Sequence, residues 1–257
     1  MPEAIIELTQ RDGVAVLILS SAPVNALSKR LMGALHSSLD AIEGNRDIRV
    51  LHLRSALKVF CAGADLAEMR ANLANPSSVD DQIAAVRDMQ AVLKRIETLP
   101  LATVAEIGGA AMGGGLELAL AFDFRVAANE AKLALPETSL GLIPGAGGTQ
   151  RLTALCGPAV AKRLILGAEI LDGATAAALG VVHWTVPRTE LAGFAADLAA
   201  RLAKIPRAAA AAAKSCIAAQ ADPARDGYEE ELQETKELLL NEPETRDRVE
   251  AFLSGQR

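Results

Sequence analysis

The chain opens with short runs in which apolar and polar residues alternate, the period-two pattern of half-buried β-strands. Two such runs, Ile5–Thr9 and Val14–Ser20, flank Asp12 and Gly13, a pair of residues typical of a tight hairpin turn. These positions predict a β-hairpin at the beginning of the fold.

Further along, short apolar runs alternate with segments whose apolar residues recur every three to four positions, as in amphipathic helices. The predicted elements are a helix from the N-cap Ser28 to about Glu43, a strand at Arg49–Arg54, a helix at Asp80–Thr98 with an apolar stripe of Ile83, Val86, Met89, Val92, Leu93 and Ile96, a strand at Thr103–Ile107, a helix opened by Gly113–Gly115 and running through Leu120, and a strand at Asp123–Ala128. This alternation predicts an α/β fold of repeated ββα units. After Thr189 the pattern is helical only, and Pro206, Pro223 and Pro243 separate the helices of this tail.

Composition narrows the possible functions. The 257 residues carry a net charge of −6 and only 3% aromatic residues, which disfavours nucleic acid or a membrane surface as a partner. The three cysteines are far apart and form no disulfide or zinc pattern, which predicts a reducing compartment and no metal site. The first residues do not resemble a secretory signal, and no uncharged apolar run reaches the roughly 18–20 residues of a membrane span. We therefore expect a cytoplasmic protein.

Two acidic residues lie beside glycine-rich turns in otherwise apolar sequence. Glu117 follows Gly113–Gly115 and falls in the first turn of a predicted helix, where it either complements the helix dipole or takes part in chemistry. Glu137 follows Pro136 and is either an ordinary loop carboxylate or a functional one. Carboxylates beside free backbone N–H groups are the parts needed to move a proton next to a carbonyl that becomes an oxyanion.

Other candidate residues have simpler interpretations. The small residues of Phe60–Asp65 form either a structural turn or a place where backbone amides approach a ligand. Cys61 is either a buried structural cysteine or a nucleophile, although no histidine is near it in sequence. We expect structural roles for His36 on an exposed helix face, and for His52 and His183 within strands, because the three share no ligand or triad spacing.

A second glycine-rich loop, Pro144–Thr149, also leads into a helix, which is the arrangement that binds phosphate in many proteins. The loop lacks the Gly-Lys-Ser/Thr of a P-loop, and its glycines do not have the Rossmann spacing. Nucleotide hydrolysis and NAD binding are therefore disfavoured.

Four blocks of sequence resemble the enoyl-CoA hydratase/isomerase (crotonase) superfamily, and its hydratases in particular. In chain order they are Pro23–Leu27, Phe60–Leu66, Gly113–Ala119 and Pro136–Arg151. One block alone would be a weak signal, but four in order over nearly the whole chain are specific. The resemblance implies a crotonase (ClpP-like) fold, with residues 1–190 as the core that binds and transforms a CoA thioester and residues 191–257 as a helical trimerisation or lid region.

The resemblance also implies roles for individual residues. Glu117 and Glu137 would be catalytic, one activating water and the other protonating Cα. The backbone N–H groups of Ala64 and Gly114 would form the oxyanion hole. The residues that would contact the substrate or hold the water are Ala26, Ala62, Asp65, Leu66 and Gly145. No separate cofactor is implied, because coenzyme A is part of the substrate.

The implied activity is the hydration of a trans-2-enoyl-CoA to a 3-hydroxyacyl-CoA, as in β-oxidation and related lipid metabolism, by a homotrimer or homohexamer. The alternatives are an isomerase or hydrolase of the same superfamily and a hydratase for branched or dicarboxylic acyl-CoA such as methylglutaconyl-CoA. Isomerases of the family typically keep only the later glutamate, so the presence of Glu117 favours hydration. The intact pair of glutamates beside the two implied oxyanion-hole turns disfavours a non-catalytic acyl-CoA or RNA binder. RNA binding is further disfavoured because residues 66–79, the region that is lysine-rich in RNA-binding relatives, contain no lysine and only Arg70. The segment 238–247 departs from the family pattern and leaves the acyl-chain preference open.

Overall fold

A computed structural model describes residues 4–73 and 79–255, so part of the lysine-free segment 66–79 lies outside the described residues. The strands are β1 (Ile6–Arg11), β2 (Val14–Leu19), β3 (Val50–Ser55), β4 (Ala102–Ile107), β5 (Ala111–Met112), β6 (Phe124–Ala128), β7 (Lys132–Ala134), β8 (Leu171–Asp172) and β9 (Trp184–Val186). The α-helices are α1 (Lys29–Glu43), α2 (Leu66–Leu73), α3 (Val79–Thr98), α4 (Gly114–Leu120), α5 (Gly148–Ile165), α6 (Gly173–Ala178), α7 (Arg188–Leu202), α8 (Arg207–Ala219), α9 (Gly227–Asn241) and α10 (Pro243–Leu253). A short 3₁₀ helix covers Glu137–Leu140. The predicted α/β fold with C-terminal helices is confirmed.

Two sheets organise the molecule. The larger has the order β1-β2-β3-β4-β6-β9, and all its neighbours are parallel except the hairpin β1-β2. The smaller has the order β5-β7-β8. The segments β4-β5-α4 and β6-β7-α5 each place their first strand in the large sheet and their second in the small one. This is the predicted ββα unit, and it links the two sheets along the chain.

Local signals at the beginning of the chain act as the sequence predicts. Asp12 and Gly13 both have positive φ angles, 50° and 78°, which suits a two-residue hairpin turn. Ser28 caps α1, and its side chain accepts a hydrogen bond from the amide of Leu31 at 3.3 Å.

The hydrophobic core lies between the large sheet and the helices that cover it. Every residue of β4 is buried, as expected for a central parallel strand. The apolar stripe predicted for α3 faces the core in its second half, where Met89, Val92, Leu93 and Ile96 are buried. Ile83, near the beginning of the helix, is 53% exposed. The first turns of α3 therefore extend beyond the core.

The three histidines have protein partners. His52 is buried in β3 and pairs through Nε2 with Oε2 of Glu106 at 2.9 Å. His36 is half-buried on α1, with Asp88 Oδ1 2.8 Å from its Nε2. The placement of His183 within a strand is wrong: it lies directly before β9, where its Nδ1 accepts from the amide of Arg125 at 3.2 Å.

The C-terminal helices are attached to the sheet by polar side chains. Lys214 of α8 donates to Oδ2 of Asp123 at 2.8 Å and to the carbonyl of Leu101 at 3.1 Å. Glu244 of α10 accepts from Arg49, at the amino end of β3, at 3.0 Å. The division of the chain near residue 190 stays a prediction. Within residues 4–73 and 79–255, none of the helices is long and apolar enough to cross a membrane.

Candidate active site

Glu117 is an acidic residue inside the apolar core. It belongs to α4, a helix whose seven residues are all buried, and it is itself only 2% exposed. The leucines and alanine of α4 are buried with it, so the carboxyl lies in an apolar environment. Burying a carboxyl is costly unless it is hydrogen-bonded or used, so its partners matter.

The glycine turn before α5 supplies one partner. The amide of Gly148, the first residue of α5, donates to Oε1 of Glu117 at 2.7 Å. An added Cβ at Gly148 would lie 2.9 Å from Cγ and Oε1 of Glu117 and from Cβ of Pro144. Only a glycine therefore allows the turn to approach the carboxyl this closely.

Glu137 approaches the same region from another element. It is half-buried at the start of the 3₁₀ helix that follows β7, and its Oε2 is buried without a hydrogen-bond partner among the described residues. An added Cβ at Gly113 would lie 2.6 Å from Oε1 of Glu137. Since Gly113 immediately precedes α4, Glu137 lies against the turn from which the helix carrying Glu117 begins.

The predicted oxyanion-hole turns are also in contact. Gly63 has a φ of +90°, and an added Cβ there would lie 3.0 Å from the amide nitrogen of Gly114 and 2.6 Å from the carbonyl oxygen of Met112. The amide of Met112 donates to the carbonyl of Cys61 at 3.0 Å, which holds the two turns together. Gly114 is the first residue of α4, a position whose N–H has no acceptor within a helix. The loop that carries Ala64 therefore adjoins Gly114.

Burial and charge set the protonation of the two carboxyls. Burial raises the pKa of Glu117 to about 7, and the negative charge of Glu137 acts in the same direction. The hydrogen bond from Gly148 and the positive charge of Arg151 oppose that rise in the pKa. Burial also raises the pKa of Glu137 above its ordinary value. Both carboxyls thus hold a proton more readily than exposed glutamates do, and they influence each other.

The residues predicted to contact the CoA part lie on connected loops. The amide of Ala62 donates to the carbonyl of Val24 at 3.0 Å, so the loop of Ala26 and the loop of Ala62 run side by side. Asp65 has a structural task as well, because its Oδ1 accepts from the amides of residues 67 and 68 at the start of α2. Leu66 is 63% exposed. Contact of these four residues with a substrate stays a prediction.

Gly145 lies on the turn between Glu137 and α5. Its carbonyl accepts from the side chain of Gln90 of α3 at 2.6 Å, and an added Cβ would lie 3.3 Å from Val86. Sequence reasoning assigned no role to Gln90, which is 55 residues away in the chain. It also missed Arg151, whose guanidinium reaches back to the carbonyl of Ala146 at 3.0 Å. The sequence feature that could have identified Arg151 is a positively charged residue one helical turn after a glycine-rich loop, in otherwise apolar sequence.

Cys61 is not placed as a nucleophile. Its thiol is buried and donates to the carbonyl of Asn25 at 3.0 Å. Burial raises the pKa of this thiol to about 12, so the reactive thiolate is scarce at neutral pH. Of the two interpretations that the sequence allowed, the geometry favours the structural one. In the part of the chain that the structure describes, no group of three or more histidine, cysteine and acidic side chains is placed to hold a metal ion.

The arrangement combines the buried carboxyl of Glu117 and the half-buried carboxyl of Glu137 with two adjoining turns of small residues. A carboxylate with a pKa near 7 suits general base catalysis at neutral pH, and a protonated carboxyl suits general acid catalysis. Backbone amides in a buried turn can stabilise an oxyanion without reorganising. The site is therefore built for proton transfer at a carbon next to a polarised carbonyl.

Comparison with known proteins identifies the family of this chain. The family model described as "Enoyl-CoA hydratase/isomerase" matches residues 9–254. The chain is 44% identical over 183 residues to the mitochondrial methylglutaconyl-CoA hydratase of Rattus norvegicus, covering 70% of this chain and 56% of that protein. It is 43% identical over 177 residues to a probable enoyl-CoA hydratase of Bacillus subtilis (strain 168), covering 69% of this chain and 67% of that one. The match thus spans little more than half the length of the rat relative.

Solved structures share the fold over the whole chain. An enoyl-CoA hydratase from Geobacillus kaustophilus HTA426 superposes with a TM-score of 0.92 at 28% identity, covering 100% of this chain and 96% of that one. An enoyl-CoA hydratase from Bacillus anthracis gives a TM-score of 0.90 at 34% identity, with 98% and 97% covered. With the fold, the paired glutamates and the family match in agreement, this chain belongs to the enoyl-CoA hydratase/isomerase family of the crotonase superfamily.

Proposed function

We propose that the protein is an enoyl-CoA hydratase, which adds water across the double bond of a trans-2-enoyl-CoA. One of the two glutamates, Glu117 or Glu137, takes a proton from water, whose oxygen then bonds to Cβ. The electron pair of the double bond moves into the thioester as an enolate, whose oxygen accepts from the amides of Ala64 and Gly114. The other glutamate delivers a proton to Cα, which gives the 3-hydroxyacyl-CoA. Each amide is worth on the order of 10²–10³ in rate.

The observation that carries the proposal is the convergence of the buried carboxyl of Glu117 and the half-buried carboxyl of Glu137 on one glycine turn. Glu117 lies in the helix that begins after Gly113, and Oε1 of Glu137 lies against Gly113 itself. If the two carboxyls were there only to form ion pairs, a cation would have to lie between them. Instead, Oε2 of Glu137 has no hydrogen-bond partner among the described residues. Two carboxyls with raised pKa values in one site are what a paired acid and base require.

The test is the turnover of crotonyl-CoA, followed by the loss of the absorbance of the conjugated thioester. We expect rapid loss with the wild-type protein and a decrease in kcat by about 10²–10⁴ in Glu117→Gln and in Glu137→Gln, because each removes one proton-transfer group while keeping the shape of the side chain.

A matched control is Glu106→Gln, which removes another buried carboxyl that pairs with His52 and belongs to no part of the site. Its folded fraction should hydrate crotonyl-CoA at the wild-type rate. If wild-type protein turns over neither crotonyl-CoA nor longer, branched or dicarboxylic enoyl thioesters, the hydratase proposal is wrong. Conversion of a 3-enoyl to a 2-enoyl thioester without hydration would identify an isomerase.

The acyl group is the second question, and one relative suggests a specific candidate. A methylglutaconyl-CoA hydratase is 44% identical over the matched part. A branched dicarboxylic substrate is therefore the alternative to a linear enoyl-CoA. Comparing kcat/KM for crotonyl-CoA and for 3-methylglutaconyl-CoA decides between the two substrates. A tenfold preference corresponds to a difference of about 1.4 kcal/mol in transition-state binding.

We further propose that the protein acts as a homotrimer or homohexamer in a reducing compartment such as the cytoplasm, with no cofactor beyond the CoA of its substrate. Large apolar side chains remain exposed on the single chain, especially on the loop after Glu137 and on the last two helices: Leu140, Leu142, Ile143, Leu232, Leu239, Leu240, Phe252 and Leu253. Exposed apolar surface of this extent is typical of subunit interfaces. Light scattering should give about three or six times the 26.8 kDa of one chain.

A further inference from the structure

Thr138 directly follows Glu137 in the chain and ties it to a distant helix. Its Oγ1 donates to the carbonyl of Ile165 at 2.5 Å, across 27 residues of sequence. Ile165 is buried and is the last residue of α5. The last carbonyls of a helix have no donor within the helix, so the hydroxyl supplies the partner that this buried carbonyl needs. The hydrogen bond therefore joins the segment that carries Glu137 to the end of α5.

The backbone of that segment is held mainly by local hydrogen bonds. The 3₁₀ helix that begins at Glu137 has four residues, and its N-cap Pro136 provides no side-chain hydrogen bond. The amides of Gly141 and Leu142 donate to carbonyls of the same segment at 3.1 and 3.0 Å, and residues 139–143 are exposed. Local bonds of this kind give a short 3₁₀ helix its shape but not its place in the fold. Its place depends on the connection to β7 and on side-chain contacts such as that of Thr138.

The carboxyl of Glu137 is less firmly held than that of Glu117. The amide of Gly148 donates to Oε1 of Glu117 at 2.7 Å. Oε2 of Glu137 is buried without a hydrogen-bond partner among the described residues, and Oε1 lies against Gly113, where an added Cβ would be 2.6 Å away. The position of the Glu137 carboxyl therefore follows from the backbone that carries it.

The two ends of α5 contact the two segments of the site. The amide of Gly148, at the start of the helix, holds Glu117, and the carbonyl of Ile165, at its end, holds Thr138. A straight helix of these 18 residues would be about 27 Å long. The helix is instead broken at Gly157, where φ is 78° and ψ is 164°. Its two halves therefore point in different directions, and one element serves as a frame for both glutamates.

We propose that Thr138 is a positioning residue for Glu137. Its hydroxyl fixes the 3₁₀ helix on the end of α5, so that the carboxyl of Glu137 stays against the turn of Gly113 and at a constant distance from Glu117. The effect on catalysis rests on the proposed hydratase function, whereas the anchoring of the segment does not. Displacement of a reacting group by about 1 Å can cost about 10²-fold in rate, so loss of the anchor is measurable in kcat.

The first measurement compares two replacements of Thr138 in the hydration of crotonyl-CoA. Thr138→Val removes the hydroxyl and keeps the branched shape, whereas Thr138→Ser keeps the hydroxyl. We expect Thr138→Val to lower kcat by about 10–10²-fold and to change KM by less than about twofold, because the hydroxyl bonds to Ile165 and not to a group that binds substrate. Thr138→Ser should retain kcat to within about threefold.

Thr153→Val is the matched control. The hydroxyl of Thr153 donates to the carbonyl of Thr149 at 2.6 Å, also in α5, but on an exposed face that carries neither glutamate. The same atom is removed from the same kind of hydrogen bond. This variant should have the kcat and KM of the wild type.

A double-mutant cycle with Glu137→Gln distinguishes positioning from general support of the fold. If Thr138 acts through Glu137, adding Thr138→Val to Glu137→Gln should lower kcat by less than about twofold more, because the group that it positions is already disabled. An equal factor in both backgrounds would mean that the hydroxyl acts independently of Glu137, and the proposal would be wrong.

Amide hydrogen exchange tests the anchor without turnover. Thr138→Val should accelerate exchange at Gly141 and Leu142, whereas Thr138→Ser and Thr153→Val should leave it as in the wild type. Unchanged exchange of residues 137–143 in Thr138→Val would overturn the anchoring role.

Thr138→Ala takes the place of Thr138→Val if the latter does not fold, and it is compared with Thr138→Ser in the same way. Equal losses of kcat in the alanine and serine variants would show that the hydroxyl is not responsible. A wild-type protein that hydrates no enoyl thioester would refute the proposed function and leave the exchange test of Thr138 intact.

Discussion

Oε1 of Glu117 accepts a hydrogen bond of 2.7 Å from the amide of Gly148, 31 residues further along the chain. This contact joins α4 to α5 and sets the distance between the carboxyl and the turn that contains Gly145. Because the partner is a backbone amide, the carboxyl is oriented by the main chain of a helix end, which moves little.

Gly148→Ala should damage activity more than stability. The added methyl group would lie 2.9 Å from Glu117 and from Pro144, so the carboxyl and the turn must separate. We expect kcat to fall by about 10²-fold or more, since displacing a reacting group by about 1 Å has that effect. The control is Gly33→Ala in α1, where no atom lies within 4 Å of the added Cβ. This variant should keep full activity and gain about 0.5–1 kcal/mol in the free energy of unfolding, as measured by urea denaturation.

Glu117→Gln should stabilise the protein at alkaline pH. Burial raises the pKa of Glu117 from 4.5 to about 7, so the folded protein binds this proton more tightly than the unfolded chain does. The contribution of Glu117 to the free energy of unfolding therefore decreases as the pH rises from about 4.5 through 7 and stays low above that. A neutral glutamine avoids this cost, which is roughly 1–3 kcal/mol. Thermal melts at pH 8 and pH 5 should show a stabilisation that is larger at pH 8; equal gains at both pH values would contradict the assignment.

Lys214→Met should weaken the attachment of α8. Lys214 Nζ lies 2.8 Å from Oδ2 of Asp123 and 3.1 Å from the carbonyl of Leu101, and the charged side chains of Lys214 and Asp123 are both mostly shielded from water. Among the described residues, the loss of Lys214 leaves the carboxylate of Asp123 with the backbone amide and the hydroxyl of Thr103 as its donors. We expect a loss of about 1–2 kcal/mol in the free energy of unfolding and faster amide hydrogen exchange in α8. Lys94→Met is the control, because the 67% exposed Lys94 pairs with Glu97 on the surface and should contribute less than about 1 kcal/mol.

Cys61 should be chemically silent in the folded protein. Its thiol is buried, donates to the carbonyl of Asn25, and has its pKa raised to about 12 by burial. Titration with a thiol-specific disulfide reagent at pH 8 should modify Cys61 only after denaturation, whereas the partly exposed Cys156 and Cys216 react earlier. Replacing Cys61 with alanine should leave the number of thiols that react in the native protein unchanged. A loss of one native-state thiol in that variant would mean that the residue is accessible.

Much of the fold follows from local sequence. The Asp12-Gly13 turn, the cap at Ser28 and the alternation of buried strands with helices are decided by backbone preferences and by the spacing of apolar residues, and these act over a few positions. The strand predicted at His183 was wrong, and the apolar stripe of α3 did not show that Ile83 is exposed while Met89 is buried. Whether a given turn of helix or end of strand reaches the core depends on neighbours distant in the sequence, as α3 shows.

The sequence by itself determined the family and the ββα architecture and singled out Glu117 and Glu137 as candidates, since short ordered motifs carry that information. Only the tertiary structure decided what surrounds these residues. The 2.7 Å contact of Glu117 with Gly148, the approach of Glu137 to Gly113 and the clamp of Arg151 between Glu97 and the turn are contacts between separate elements. Through these contacts the two carboxyls lose water, and Glu117 feels the charge of Arg151. Both effects arise from burial in three dimensions, and no spacing along the chain specifies them.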